Sequence, residues 1–145
     1  MLESILSKTI LMNKTILITG GAIRIGKAIC EKFHKEGFNI LCHYNSSKKY
    51  AEELSEQLNS IRKNSCSIIQ FDLNDIDKYP IFIKKVKQLS KSIDVLVNNA
   101  SAFYSSPLAN YKEGDWEDLH NSNLRGPFLI SSLPVSYTHL TLPTT

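Results

Sequence analysis

Residues 15–26 read TILITGGAIRIG, and they carry two signals in succession. Thr15–Thr19 is a short, mostly apolar run that stops at Gly20 and Gly21. A run of that length bounded by glycine reads as a strand buried on both faces. Gly26–Glu36 follows with Ala28, Ile29 and Phe33 at helical spacing, and Gly37 stands where a helix stops. Glycines between a strand and a helix let the backbone approach a phosphate, and the helix start adds free N–H groups and partial positive charge. A glycine-rich turn alone is a weak signal. With a strand before it and a helix after it, the turn predicts nucleotide binding.

The same rhythm continues along the chain. Asn39–Tyr44 (NILCHY) reads as a second strand, and Ser46 or Ser47 is placed to cap a helix over Lys48–Arg62 with Ala51, Leu54, Leu58 and Ile61 on one face. Cys66–Phe71 reads as a third strand and Asp75–Ser90 as a helix, with Pro80 in its first turn or kinking it. Ile93–Val97 reads as a fourth strand and Asp115–Ser132 as a further helix. Strands alternating with helices predict βαβ units. The expected class is α/β, a Rossmann-like doubly wound parallel sheet of order 3-2-1-4, truncated after the fourth strand and the helix that follows. Trp116 and Phe128 read as core or helix-interface residues.

Composition narrows the classes. The chain has 145 residues, 42% of them hydrophobic and 21% charged, which are globular values. Its net charge of +3 comes from Lys and Arg spread along the sequence, so neither nucleic acid nor membrane is expected as a partner. Cys30, Cys42 and Cys66 are odd in number and widely spaced, with no metal-binding pattern; no metal is expected, and a reducing cytoplasmic setting suits them. Residues 1–13 lack the order of a signal peptide and read as an N-terminal extension, with Met12 a second possible start. Residues 14–134 form the partial nucleotide-binding domain. Val135–Thr145 (VSYTHLTLPTT) breaks the pattern and resembles a translated sequencing adapter. It is therefore read as a non-native tail, with the natural sequence cut near Pro134.

The second strand bears on the cofactor. A site for NADH usually places Asp or Glu there, bonded to the ribose 2′-hydroxyl. Here the strand runs out through Tyr44, Asn45, Ser46 and Ser47 without a carboxylate. Ser46 and Ser47 can donate hydrogen bonds from a helix start, and Lys48 or Lys49 can add charge, so NADPH is the expected cofactor. Plain helix capping is the other reading of the two serines.

Thr19–Gly26 (TGGAIRIG) resembles the TGxxxGxG of the short-chain dehydrogenase/reductases, with Arg24 in place of the middle glycine. That variant is similar to the turn of pteridine reductases. His43–Ser47 resembles their HYxxS, with Ser46 where Arg is common, and Asn98–Leu108 (NNASAFYSSPL) resembles their NNASxFxxTPL. The resemblance covers Lys14 to about Pro134. It implies that Gly20, Arg24, Ile25, Gly26, Tyr44, Asn45, Ser46, Ser47, Asp72, Leu73, Asn99, Ala100 and Ser101 hold the cofactor, with Asp72 on the adenine. It implies that Arg24, Ser101 and Phe103 meet the substrate, Phe103 stacking on a flat pterin. It also implies that the backbone carbonyl of Asn123 holds a water in the proton relay.

The bland alternatives are a surface role for Arg24, a helix cap for Asp72 and a core position for Phe103. The group's proton donor is a Tyr with Lys four residues later, and the sequence has no Lys after Lys112. The implied function is NADPH-dependent reduction of a pterin or dihydrofolate, with this chain inactive by itself and the complete protein a homo-oligomer. The alternatives are a ketoacyl-carrier-protein or sugar reductase, and a non-catalytic NADP-binding regulator.

Overall fold

In a computed structural model of the protein, residues 14–105, 107–110 and 112–131 are described. Strands β1 (Thr15–Ile18), β2 (Asn39–Tyr44), β3 (Cys66–Gln70) and β4 (Val95–Val97) form one parallel sheet in the order β3-β2-β1-β4. The helices are α1 (Arg24–Lys35), α2 (Lys48–Ile61), α3 (Tyr79–Leu89), α4 (Glu113–His120) and α5 (Gly126–Ser131). Class and strand order are those expected from the sequence. In register, Ile18 lies beside Cys42 on one side and Val97 on the other, which brings the carboxyl ends of three strands to one edge.

Alternate residues of each strand serve opposite faces. Ile16, Ile18, Ile40 and Cys42 pack with Cys30 of α1 and with Leu54 and Leu58 of α2. Leu17 and Leu41 pack with Phe82 and Val86 of α3 and with Ile130 of α5. Helices on both faces explain why these strands are apolar throughout. Burying one such Leu, Ile or Phe side chain contributes about 1.5–3 kcal/mol. β4 is only half-buried and lies at the margin of the sheet among the described residues.

Several boundaries differ from the expected ones. α1 begins at Arg24, two residues early, and closes on Gly37 at φ 100° with the Gly37 amide bonded to the His34 carbonyl and the Phe38 amide to that of Phe33. The rings of Phe33 and Phe38 meet edge to face at 5.1 Å, the apolar contact that accompanies such a stop. Pro80 starts α3 rather than kinking it, because a short 3₁₀ turn (Ile76–Lys78) precedes the helix and a missing N–H costs nothing in a first turn.

The single helix expected over Asp115–Ser132 is divided. Residues Asn121–Arg125 form a π turn in which the Gly126 amide bonds to the Asn121 carbonyl. Pro127 has no N–H to offer the carbonyl of Asn123 four residues earlier, and a continuous α-helix is lost there. Trp116 and Phe128 are 62% and 70% exposed among the described residues, so the core reading does not hold and the helix-interface reading remains. Residues 1–13, the 135–145 segment and Ser132 lie outside the described residues. No helix among those described is long and apolar enough to cross a membrane.

Candidate functional site

A cleft of about 570 Å³ opens at the carboxyl edge of the sheet. It is lined by the turn after β1, the end of β2, and the loops after β3 and β4. Every residue named above as a cofactor contact lines it, from Gly20 to Ser101. Phe103 and Asn123 are not among its lining residues. A smaller cavity of about 250 Å³ lies at the opposite edge, beside Thr15, Asn39 and Lys91, away from the edge at which open α/β sheets bind ligands.

The turn is built by close contacts. Gly20 adopts φ 62°, and a Cβ added at Gly26 would lie 2.0 Å from the Gly20 carbonyl oxygen. The Asn99 side chain donates to the carbonyls of Thr19 and Gly20, each at 3.0 Å. The Thr19 hydroxyl accepts from the Asn99 and Ala100 amides, also at 3.0 Å. The loop after β4 is thereby locked onto the loop after β1.

The start of α1 has no acidic residue in its first turn and no side-chain cap from Ile23. Its first intrahelical bond runs from the Lys27 amide to the Ile23 carbonyl, so the amides of residues 24–26 have no partner further back in the helix. Such a terminus suits an anion. Arg24, exposed at the cleft, takes φ 51°, a left-handed conformation that costs a non-glycine residue about 1–2 kcal/mol.

The end of β2 carries no carboxylate into the cleft. Ser47 occupies the cap position of α2 but makes no capping hydrogen bond, so the simple capping role does not hold for its hydroxyl. Lys48 and Lys49 pair with Glu52 at 3.6 Å and Glu53 at 3.9 Å along the exposed face of α2. At the end of β3, Asp72 accepts the Asn74 amide at 3.0 Å, a turn role that leaves its second oxygen for other partners.

His43 enters the sequence reading only as the first letter of the HYxxS run, with no role assigned to it. It is buried, accepts the Gly20 amide on Nδ1 at 3.2 Å, and lies 2.9 Å from the Phe71 carbonyl through Nε2. An amide donor at Nδ1 and a carbonyl acceptor at Nε2 together require the neutral ring protonated at Nε2. Burial pushes its pKa down to about 4, against the raising effects of the Phe71 carbonyl and the Asp72 charge. The folded state therefore binds fewer protons than the unfolded state between these pKa values, and His43 favours folding above pH 6.5. That contribution, on the order of 3 kcal/mol, is lost as pH falls from 6.5 toward 4. Urea midpoints measured across this window should fall with pH, and His43→Asn should flatten the slope. An unchanged slope would show that another group titrates there.

Two further residues tie the site together without a clear sequence signal. Asp118 of α4 accepts from the Tyr104 hydroxyl at 3.0 Å and from the Asn74 side chain, and it joins the loops after β3 and β4. Thr19 is marked only as the first letter of its glycine motif. Asn123 ties its side chain to the loop after β4: Oδ1 accepts from the Ala102 N–H and Nδ2 donates to the Ala102 C=O, both at 2.8 Å. Its backbone carbonyl lies within the π turn. Phe103 is 94% exposed, which removes the core reading. Below the turn, Cys30, Cys42 and Cys66 are free, buried thiols; burial and then the nearby Cys42 push the Cys66 thiol up to about 12, against a lowering hydrogen bond with Ser55, so it stays protonated.

The family described as short chain dehydrogenase matches residues 14–138. A 3-oxoacyl-[acyl-carrier-protein] reductase FabG of Staphylococcus aureus is 36% identical over 117 residues, which cover 81% of this chain and 47% of that protein. Pteridine reductase 1 of Leishmania tarentolae is 34% identical over 116 residues, covering 68% of this chain and 40% of that protein. The crystal structure of FolM alternative dihydrofolate reductase 1 from Brucella canis, complexed with NADP, superposes with a TM-score of 0.75 at 31% identity. That match covers 83% of this chain and 48% of the other. The chain thus spans about half the length of these relatives. The family match over residues 14–138, with a superposition at 31% identity on the same parallel sheet, shows that the chain belongs to the short-chain dehydrogenase family.

Proposed function

We propose that the protein carrying this sequence is an NADPH-dependent reductase of pterins. The observation that carries the reading is Arg24. The protein keeps a cationic side chain in a left-handed backbone conformation at the mouth of the cleft, where glycine would fit without strain. Strain of that kind persists where a side chain is needed for function. The pteridine reductase and alternative dihydrofolate reductase among the relatives support the same substrate class.

When bound, NADPH supplies the hydride. The residues present fit it: an uncapped helix start for the pyrophosphate, Ser46 and Ser47 for the 2′-phosphate, and no carboxylate to repel that phosphate. Asp72 and Leu73 lie where the adenine would rest. Asn99, Ala100 and Ser101 would support the nicotinamide ribose. Arg24 would pair with phosphate and, with Ser101, orient the pterin. Phe103 would stack on it, since an exposed aromatic ring gains area and quadrupole contact against a flat heterocycle. The Asn123 carbonyl, denied its α-helical donor by Pro127, would hold a relay water. The partner on this reading is a small-molecule pterin.

A second reading, reduction of a 3-oxoacyl thioester, is favoured by the 36% identity to the FabG protein. Steady-state assays on the protein in its complete sequence separate the two. The pterin reading expects dihydropterin turnover that falls at least about tenfold in Phe103→Ala with the NADPH Kd unchanged. Arg24→Gly should lose both substrate and NADPH affinity while folding at least as well as the parent. Turnover of an oxoacyl thioester alone, insensitive to Phe103→Ala, would replace the pterin reading with the second one.

A further inference from the structure

Within the cofactor reading given above, we propose that His43 is a positioning residue for the dinucleotide, acting through the backbone of Gly20. The ring stands between two places that a dinucleotide must touch at once. On one side its Nδ1 takes the amide of Gly20, the left-handed residue that opens the phosphate turn. On the other its Nε2–H is given to the carbonyl of Phe71, the residue just before Asp72 and Leu73. The adjacent Gly21 amide bonds to the His43 carbonyl at 2.9 Å, so main chain and side chain of one residue hold consecutive peptides of the turn. The buried Phe82 ring, nearly perpendicular to the imidazole with ring centroids 5.8 Å apart, packs against it.

This arrangement decides where the turn can sit. The Gly20 amide is half-buried, and an amide partly shielded from water is destabilised by losing its acceptor, so removing Nδ1 drives Gly20 to rotate toward water or another acceptor. Rotation there moves the carbonyl that Gly26 touches and Asn99 bonds, and with it the free amides at the start of α1. The other end of the ring sets the height of the β3 terminus relative to the same turn. A single planar side chain with one donor and one acceptor about two ångströms apart, on opposite sides of the ring, performs both tasks.

The two halves of the ring can be removed separately. In His43→Asn the side-chain oxygen occupies the position of Nδ1 and keeps the acceptor for Gly20. In His43→Gln the amide nitrogen occupies the position of Nε2 and keeps the donor to Phe71, but Gly20 loses its acceptor. The proposal expects NADPH affinity, followed by nucleotide fluorescence on the protein carrying this chain, to fall about tenfold in His43→Gln and to recover to within about threefold in His43→Asn. Hydrogen exchange at the Gly20 amide should rise in His43→Gln and not in His43→Asn. Equal affinity losses in the two variants, tracking their melting temperatures, would show a merely structural role and overturn the proposal. So would an unchanged affinity in His43→Gln. A parent protein that binds neither NADPH nor NADH would instead sink the cofactor reading itself, and this proposal with it.

Discussion

Gly26→Ala should abolish dinucleotide binding and cost the fold more than about 4 kcal/mol, among the largest effects a single methyl group can produce. The added Cβ would stand 2.0 Å from the Gly20 carbonyl oxygen and 2.8 Å from both the Gly20 carbonyl carbon and the Asn99 side-chain nitrogen. Two of these three neighbours are backbone, and the third holds the Thr19 and Gly20 carbonyls. None is the far end of a flexible side chain that can swing aside. The turn must open or α1 must withdraw from β1, and either movement breaks the joint between the loops after β1 and β4. Gly114→Ala is the internal control. Nothing lies within 4 Å of a Cβ there, and Gly114 is exposed in the first turn of α4, so alanine should be neutral or slightly stabilising. Thermal melts by circular dichroism, with NADPH titration of whatever folds, compare the two. A Gly26→Ala protein that melts within a few degrees of the parent would show that the turn is looser than these contacts require.

Ser46→Asp should reverse cofactor preference. Ser46 lines the cleft at the end of β2, where no carboxylate stands. Two unit charges 4 Å apart repel by about 1 kcal/mol in water and about 4 kcal/mol near a protein surface, and a 2′-phosphate carries nearly two charges. NADPH affinity should therefore fall by roughly 30-fold or more, while NADH, which presents a hydroxyl to the same carboxylate, should hold or improve. Ser46→Arg should shift preference the other way, because a guanidinium pairs with phosphate through two bonds. Fluorescence titrations with both nucleotides at low and high salt read the ratio. The difference should shrink as salt rises, since the site is open to solvent. Equal losses for NADPH and NADH in Ser46→Asp would place the 2′-phosphate elsewhere and remove the argument for NADPH.

Much of the fold was legible because local signals agreed with one another. The apolar runs at Thr15–Thr19 and Asn39–Tyr44 needed cover on both faces, and only intervening helices supply it. Glycines at residues 20, 26 and 37 marked a turn, a close approach and a helix stop. The helix over Asp115–Ser132 divides around a π turn at Asn121–Arg125, because Pro127 withholds a backbone donor that the apolar spacing of Leu119, Leu124 and Phe128 does not report. Apolar type alone marks Trp116 and Phe128 as core or helix-interface residues; among the described residues they are exposed, which removes the core reading and leaves the interface one.

The candidate site divides in the same way. Residue type and spacing alone were enough to nominate the turn, the carboxylate-free end of β2 and the loop after β4, because a phosphate needs bare backbone, donors and no competing anion. Only the folded arrangement revealed that Asn99 grips the turn, that Asp118 ties Tyr104 to Asn74, and that His43 spans Gly20 and Phe71. These partners lie 23 to 79 positions apart, apart from Tyr104 and Asp118, 14 apart on a loop and a helix. Periodicity reports which face a side chain uses. It does not report which distant amide or carbonyl waits on that face, because that depends on the register in which separate strands and loops meet.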